Sequence, residues 1–147
     1  MAISVTADTG RRLIVATAVS SLTLDELRDF LRTSRTGAGR AWRLLFDATA
    51  ATTEMTADQV AMLASAVGAT VRRDGPRAPV AIVAADPALY GVMRMYQVRC
   101  EDEGFDAIQM FRSGWRRTSG SPTRRERRIT HAAGRRGSPY QRGGRDR

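Results

Sequence analysis

Trp42-Arg43-Leu44-Leu45-Phe46-Asp47 is a short apolar run closed by an acid. Such a run predicts a buried strand of the kind that parallel sheets contain. Downstream, a polar, alanine-rich loop from Asp47 to Thr56 leads to a capping box made by Thr56 and Gln59. Val60, Leu63, Ala64, Val67 and Val71 then fall on one helical stripe. Arg72 and Arg73 complement the negative end of that helix, and Asp74-Gly75-Pro76 stops it. Val80 to Val83 is the next strand. Asp86 caps a third helix with Pro87 at its first position, and Leu89, Val92, Met93, Tyr96 and Cys100 follow at helical spacing. Gly104 ends this helix, and Ala107 to Phe111 makes a last strand.

Upstream of the central run, Thr23 and Glu26 form another capping box around Leu24, Leu27, Phe30 and Leu31, and Gly37 and Gly39 end that helix. Ile3, Val5 and Ala7 alternate with polar residues before Asp8-Thr9-Gly10, and the apolar run from Leu13 to Val15 continues toward Val19. That pattern predicts a hairpin with a tight turn. The predicted order is β-β-α-β-α-β-α-β, an α/β fold with a mostly parallel sheet and an antiparallel first strand.

The 147 residues carry a net charge of +9, which by itself suggests a nucleic-acid or anionic-surface partner. The charge is unevenly placed. In residues 1–112, thirteen Arg are matched by thirteen Asp and Glu, whereas residues 113–147 hold eleven Arg against Glu126 and Asp146. The whole excess therefore sits in the last 35 residues. All 24 basic residues are arginine, a bias that GC-rich coding DNA produces.

The chemistry expected of the body is limited. Residues 1–112 contain neither histidine nor lysine, so a Ser-His or Cys-His pair or a lysine Schiff base cannot be built there. Cys100 falls on a buried stripe beside Glu101, Asp102 and Glu103, an environment that disfavours a thiolate. Gly37-Ala38-Gly39 follows a helix and lacks the Lys-Ser/Thr of a phosphate loop. One cysteine and one histidine, His131, do not make a structural zinc site. The expectation is a non-enzyme with no cofactor and no metal. No stretch approaches the roughly 18–20 apolar residues of a spanning helix, and Met1 leads into Ile3 and Val5 without a basic leader, so no membrane association and a cytoplasmic location are expected. Two places suit recognition because ligands gather at the carboxyl ends of parallel strands. One is the loop carrying Asp47, Glu54, Met55 and Thr56; the other is Asp86 to Tyr90.

The chain resembles small bacterial proteins with a SpoIIAA-like, or STAS-like, domain. The features that carry the resemblance are the opening hairpin, Leu44-Leu45-Phe46-Asp47, Met55-Thr56-Ala57-Asp58-Gln59-Val60, and Pro79-Val80-Ala81-Ile82-Val83 followed by Asp86-Pro87; Tyr90-Gly91 and Met95-Tyr96-Gln97 add to it. It covers roughly residues 1–111. It implies a non-enzymatic regulatory or protein-interaction module with a protein partner. Better-known relatives bind anti-sigma factors and are switched by phosphorylation at the start of the second helix, which makes Thr56 the candidate here. Their Asp-Ser-Ser-Gly pattern should fall near Glu54-Met55-Thr56-Ala57, where Thr56 is the only hydroxyl and glycine is absent. Related folds also bind lipids or nucleotides, so a small-ligand carrier is a further reading.

The resemblance also implies a closing helix after the last strand. Phe111-Arg112 runs instead into a Gly-, Arg-, Ser- and Pro-rich stretch without apolar periodicity. Residues 1–112 are thus expected to form the domain and 113–147 a disordered tail. In one reading the tail binds nucleic-acid phosphates through Arg124, Arg125, Arg127 and Arg128, and salt-sensitive binding would vanish on truncation after Phe111. In the other, the tail is out of frame. One back-translation of Ser113 to Pro122, shifted to start on the third base of the first codon, reads Gly-Leu-Glu-Ala-Asp-Val-Trp-Leu-Ala, an apolar helix. Loss of that helix would leave apolar sheet surface open and favour a homo-oligomer.

Overall fold

A computed structural model of the chain describes residues 2–105 and 107–113, which fall in one compact unit. Strands β1 (Ile3–Asp8) and β2 (Leu13–Leu22) form the hairpin, in register from Ile3 opposite Ala18 to Asp8 opposite Leu13. Its connection is a four-residue loop, longer than the expected tight turn. Asp8 Oδ1 accepts the Arg11 backbone N–H at 2.9 Å, and Arg12 takes a positive φ of 49°.

Helix α1 (Leu24–Ser34) starts at a complete capping box, Thr23 with Glu26. It stops before the two glycines, which belong to a short 3-10 helix, Gly37–Ala41. Gly39 is needed for its size: a Cβ there would meet the Ser34 carbonyl oxygen at 2.3 Å. Strand β3 (Arg43–Thr53), helix α2 (Ala57–Asp74), strand β4 (Val80–Ala84), helix α3 (Pro87–Asp102) and strand β5 (Ile108–Arg112) complete the body. Helix α2 has its own capping box, Thr56 with Gln59, and Gly75 closes it at a φ of 87° while donating to Val71 O. Asp86 accepts the Leu89 N–H at 2.8 Å and Pro87 opens α3.

The sheet is mixed: β1 is antiparallel to β2, and β2, β3, β4 and β5 are parallel. Its strands lie in chain order, β1-β2-β3-β4-β5. When each crossover has the same hand and each new strand adds on the same side, all the helices land on one face. The packing agrees. Leu27 and Phe30 of α1, Leu63 of α2 and Met93 of α3 meet Phe46 and Ile82 around one cavity, and the Phe30 and Phe46 rings sit 5.5 Å apart.

One expectation is corrected here. The segment from Asp47 to Thr53 is strand, and the loop shrinks to Glu54–Thr56. The reason is non-local. Strand β2 runs on to Leu22 and offers its edge, pairing Val19 with Ala50 through Leu22 with Thr53, and Thr53 Oγ1 also donates to Leu22 O at 2.9 Å. A register shift between Thr17 and Val19 accommodates the change, with Ser20 at a φ of 57°. No helix of the described residues is long and apolar enough to cross a membrane.

Candidate functional site

The residues expected to carry recognition are split into two levels. Ala84, at the end of β4, pairs with Ala48, so Asp47 and the start of α3 lie at one height on the sheet. Thr53 is five residues further along β3, about 16 Å of strand, and only then come Glu54, Met55 and Thr56. No side-chain hydrogen bond links the two groups among the described residues.

At the lower level, Asp47 accepts from the backbone N–H and the hydroxyl of Thr49, at 3.0 and 2.7 Å. Tyr90, in the first turn of α3, lies under the Arg112 guanidinium, 4.7 Å from carbon to ring centre. Asp86 is occupied as the cap of α3. At the upper level, Glu54 is exposed, whereas Met55 is buried and belongs to the core. The exposed Thr56 accepts the Gln59 N–H at 3.3 Å, so its hydroxyl oxygen faces the start of α2. Arg124, Arg125, Arg127 and Arg128 lie outside the described residues, as does all of the expected tail beyond Ser113.

The sheet face away from the helices is the second feature. Register brings Val15, Leu45 and Ala81 into one row and Thr17, Asp47, Val83 and Phe111 into the next. None of these side chains is fully buried, and Phe111 is 42% exposed. Parallel sheets ordinarily have both faces covered. Here the three described helices all lie on the other face.

A third feature escaped the sequence reading. Arg35, the C-cap of α1, is 0% exposed, and Arg77, just before β4, is 8% exposed. Arg35 donates to three backbone carbonyls: Gly39 O at 3.2 Å, Trp42 O at 2.5 Å and Ala78 O at 2.7 Å. It thereby ties the end of α1 to the starts of β3 and β4. Burial pushes its pKa down to about 10, with repulsion from Arg77 adding to the effect. Burial lowers the Arg77 pKa as well. The Arg77 Nε is buried without a hydrogen-bond partner. A signal for Arg35 did exist. It stands four residues after Leu31 and eight after Leu27, which continues the apolar stripe of α1. Arg77 sits in a loop and left no periodic trace.

Cys100 is 0% exposed, and burial raises its thiol pKa to about 11. Tyr96 lies one turn earlier on α3, and burial raises the Tyr96 pKa too. Gln97 is buried and satisfied: its amide donates to Ile108 O at 2.9 Å and to Glu101 at 3.1 Å. Among the described residues, no group of three His, Cys, Asp or Glu side chains is placed to hold a metal ion.

Compared with models of known protein families and with curated proteins, the chain matches none.

Proposed function

We propose that the chain is a non-enzymatic interaction module of the SpoIIAA/STAS-like type, whose partner is a protein docking on the sheet face away from the helices. One observation carries this reading: Val15, Leu45, Ala81, Val83 and Phe111 present apolar side chains on a face that none of the described helices covers. Contiguous apolar surface rimmed by polar groups marks interaction sites, and Thr6, Thr17, Asp47 and Gln109 supply the rim. The inert chemistry of the body supports the same view, since the buried thiol of Cys100 is held in its neutral form. The partner's approach also passes the carboxyl ends of the strands, where Asp47 and Tyr90 are partly exposed. A phosphate on Thr56 would add charge at the start of α2, where the backbone N–H groups favour it.

Site-specific photocrosslinking in cells tests the proposal. A photoreactive residue at Phe111, on the open sheet face, should capture a discrete protein; one at Met62, exposed on α2, should not. Equal capture at both positions, or none at Phe111, defeats the reading.

A further inference from the structure

The central strand of the open sheet face carries charges of opposite sign. β3 is the third of five strands, and Arg43, Leu45 and Asp47 alternate onto the open face while Leu44 and Phe46 are buried on the other. Arg43 and Asp47 stand four residues apart, about 13 Å of strand, which is too far to pair within one chain. Among the described residues, neither has an ion-pair partner. Asp47 takes both of its hydrogen bonds from Thr49 on Oδ1, which leaves Oδ2 for an outside donor. Arg43 makes one long bond, 3.5 Å to Arg11 O. Asp8, on the edge strand of the same face, is already paired with Arg11.

We infer that the open face is covered by a second copy of this chain, stacked with its strands antiparallel about a two-fold axis through the row of Leu45, so that Arg43 of each copy meets Asp47 of the other. The inference rests on the reading of this face as an interaction surface, and it names the partner. Leu45 is midway between the two charges, in the row Thr6, Val15, Leu45, Ala81 and Gln109. A two-fold axis along that row exchanges the row above it with the row below. It therefore sets Arg43 against Asp47 twice, stacks the apolar centre of the row on itself, and places Thr17 over Leu13 of the other copy. An axis along the strands instead sets Arg43 against Arg43 and Asp47 against Asp47, so charge selects the antiparallel arrangement. A surface shaped for a different protein has no reason to hold opposite charges at equal distances from its own centre. Five strands about 4.8 Å apart, with rows spread over about 20 Å, give each copy a footprint on the order of 500 Å². The total of about 1,000 Å² is close to the lower limit for a specific interface, so the dimer is a weak one that dissociates on dilution.

The test uses two charge-reversed full-length chains. Arg43→Glu brings acids together across the axis, and Asp47→Arg brings arginines together. In sedimentation equilibrium each should dimerise at least about tenfold more weakly than the wild type. Mixed in equal amounts, the two variants should form a heterodimer within about threefold of the wild-type affinity, since every charge again faces its opposite. If either variant fails to fold, a photoreactive residue at the exposed Thr17 decides: its crosslink should map near Leu13 of a second copy, whereas parallel stacking would place it near Val83. No recovery in the mixture overturns the inference. So does stronger self-association of either variant, the result expected if the charges guard the face against aggregation, or a Thr17 crosslink confined to one molecule. A wild-type chain that stays monomeric while the photoreactive residue at Phe111 captures a different protein overturns it too, and leaves the interaction surface in place. A monomer that captures nothing at Phe111 defeats both.

Discussion

Cys100 shows how much one position owes to its surroundings. The thiol is fully enclosed on α3, with Tyr96 beside it and Glu101 and Glu103 raising the cost of a thiolate. Its folded pKa of about 11 lies above the value for an unfolded chain, so the unfolded state loses this proton first. The stabilisation is complete below the ordinary thiol pKa and is lost as pH rises through about 11. A contribution on the order of 2 kcal/mol should therefore fade over that window. Urea midpoints measured across it should fall, and the fall should be shallower in Cys100→Ala. A parallel decline in both proteins would assign the effect to other groups. The burial of Cys100 was legible because it continues a stripe of Leu89, Val92, Met93 and Tyr96. The burial of Arg77 was not, because a loop arginine next to Pro76 carries no pattern that separates it from a solvated one.

Elements differ in how much of their identity is local. The three helix starts were legible since a cap is a contract between residues three apart: Thr23 with Glu26, Thr56 with Gln59, Asp86 with Leu89. The second half of β3 was not. Ala48-Thr49-Ala50-Ala51-Thr52-Thr53 has the composition of a loop, and its strand conformation comes from β2, about thirty residues earlier in the chain. Amide hydrogen exchange checks this directly. Along Ala50 to Thr53, the amides that pair with β2 should exchange orders of magnitude more slowly than the Glu54 amide in the loop that follows. Exchange as fast as that of the loop would return this segment to irregular structure. The packing of α2 on α3 has a similar non-local cause. Gly68 leaves room for the Glu103 side chain, which pairs with Arg72; a Cβ at position 68 would stand 2.7 Å from Glu103 Oε2.

For the molecule as a whole, the sheet is covered on one side by the described helices and presents Val15, Leu45, Val83 and Phe111 on the other. The α/β class and the antiparallel opening were readable from periodicity, but the one-sided arrangement follows from strand order, which no local pattern encodes. Apolar surface of this kind favours self-association. Size-exclusion chromatography of the full chain should give a concentration-dependent species larger than a monomer, and Phe111→Glu should shift it toward monomer. A monodisperse monomer at every concentration would count against this. The basic excess of residues 113–147 lies beyond the described fold. The structure also moves the best truncation point for testing it. Strand β5 runs through Arg112, and the Ser113 N–H donates to Ala84 O, so a cut after Ser113 spares the sheet.

A sheet whose strands lie in the order in which they are made has a kinetic consequence. No later strand must insert between two earlier ones, so each β-α unit can dock on an edge that already exists as the chain leaves the ribosome. The pairings join neighbours in sequence, which keeps loop closures short and folding fast for a parallel sheet. Nascent chains released after β3 should already protect the β1–β2–β3 amides, with β4 and β5 adding their protection in turn.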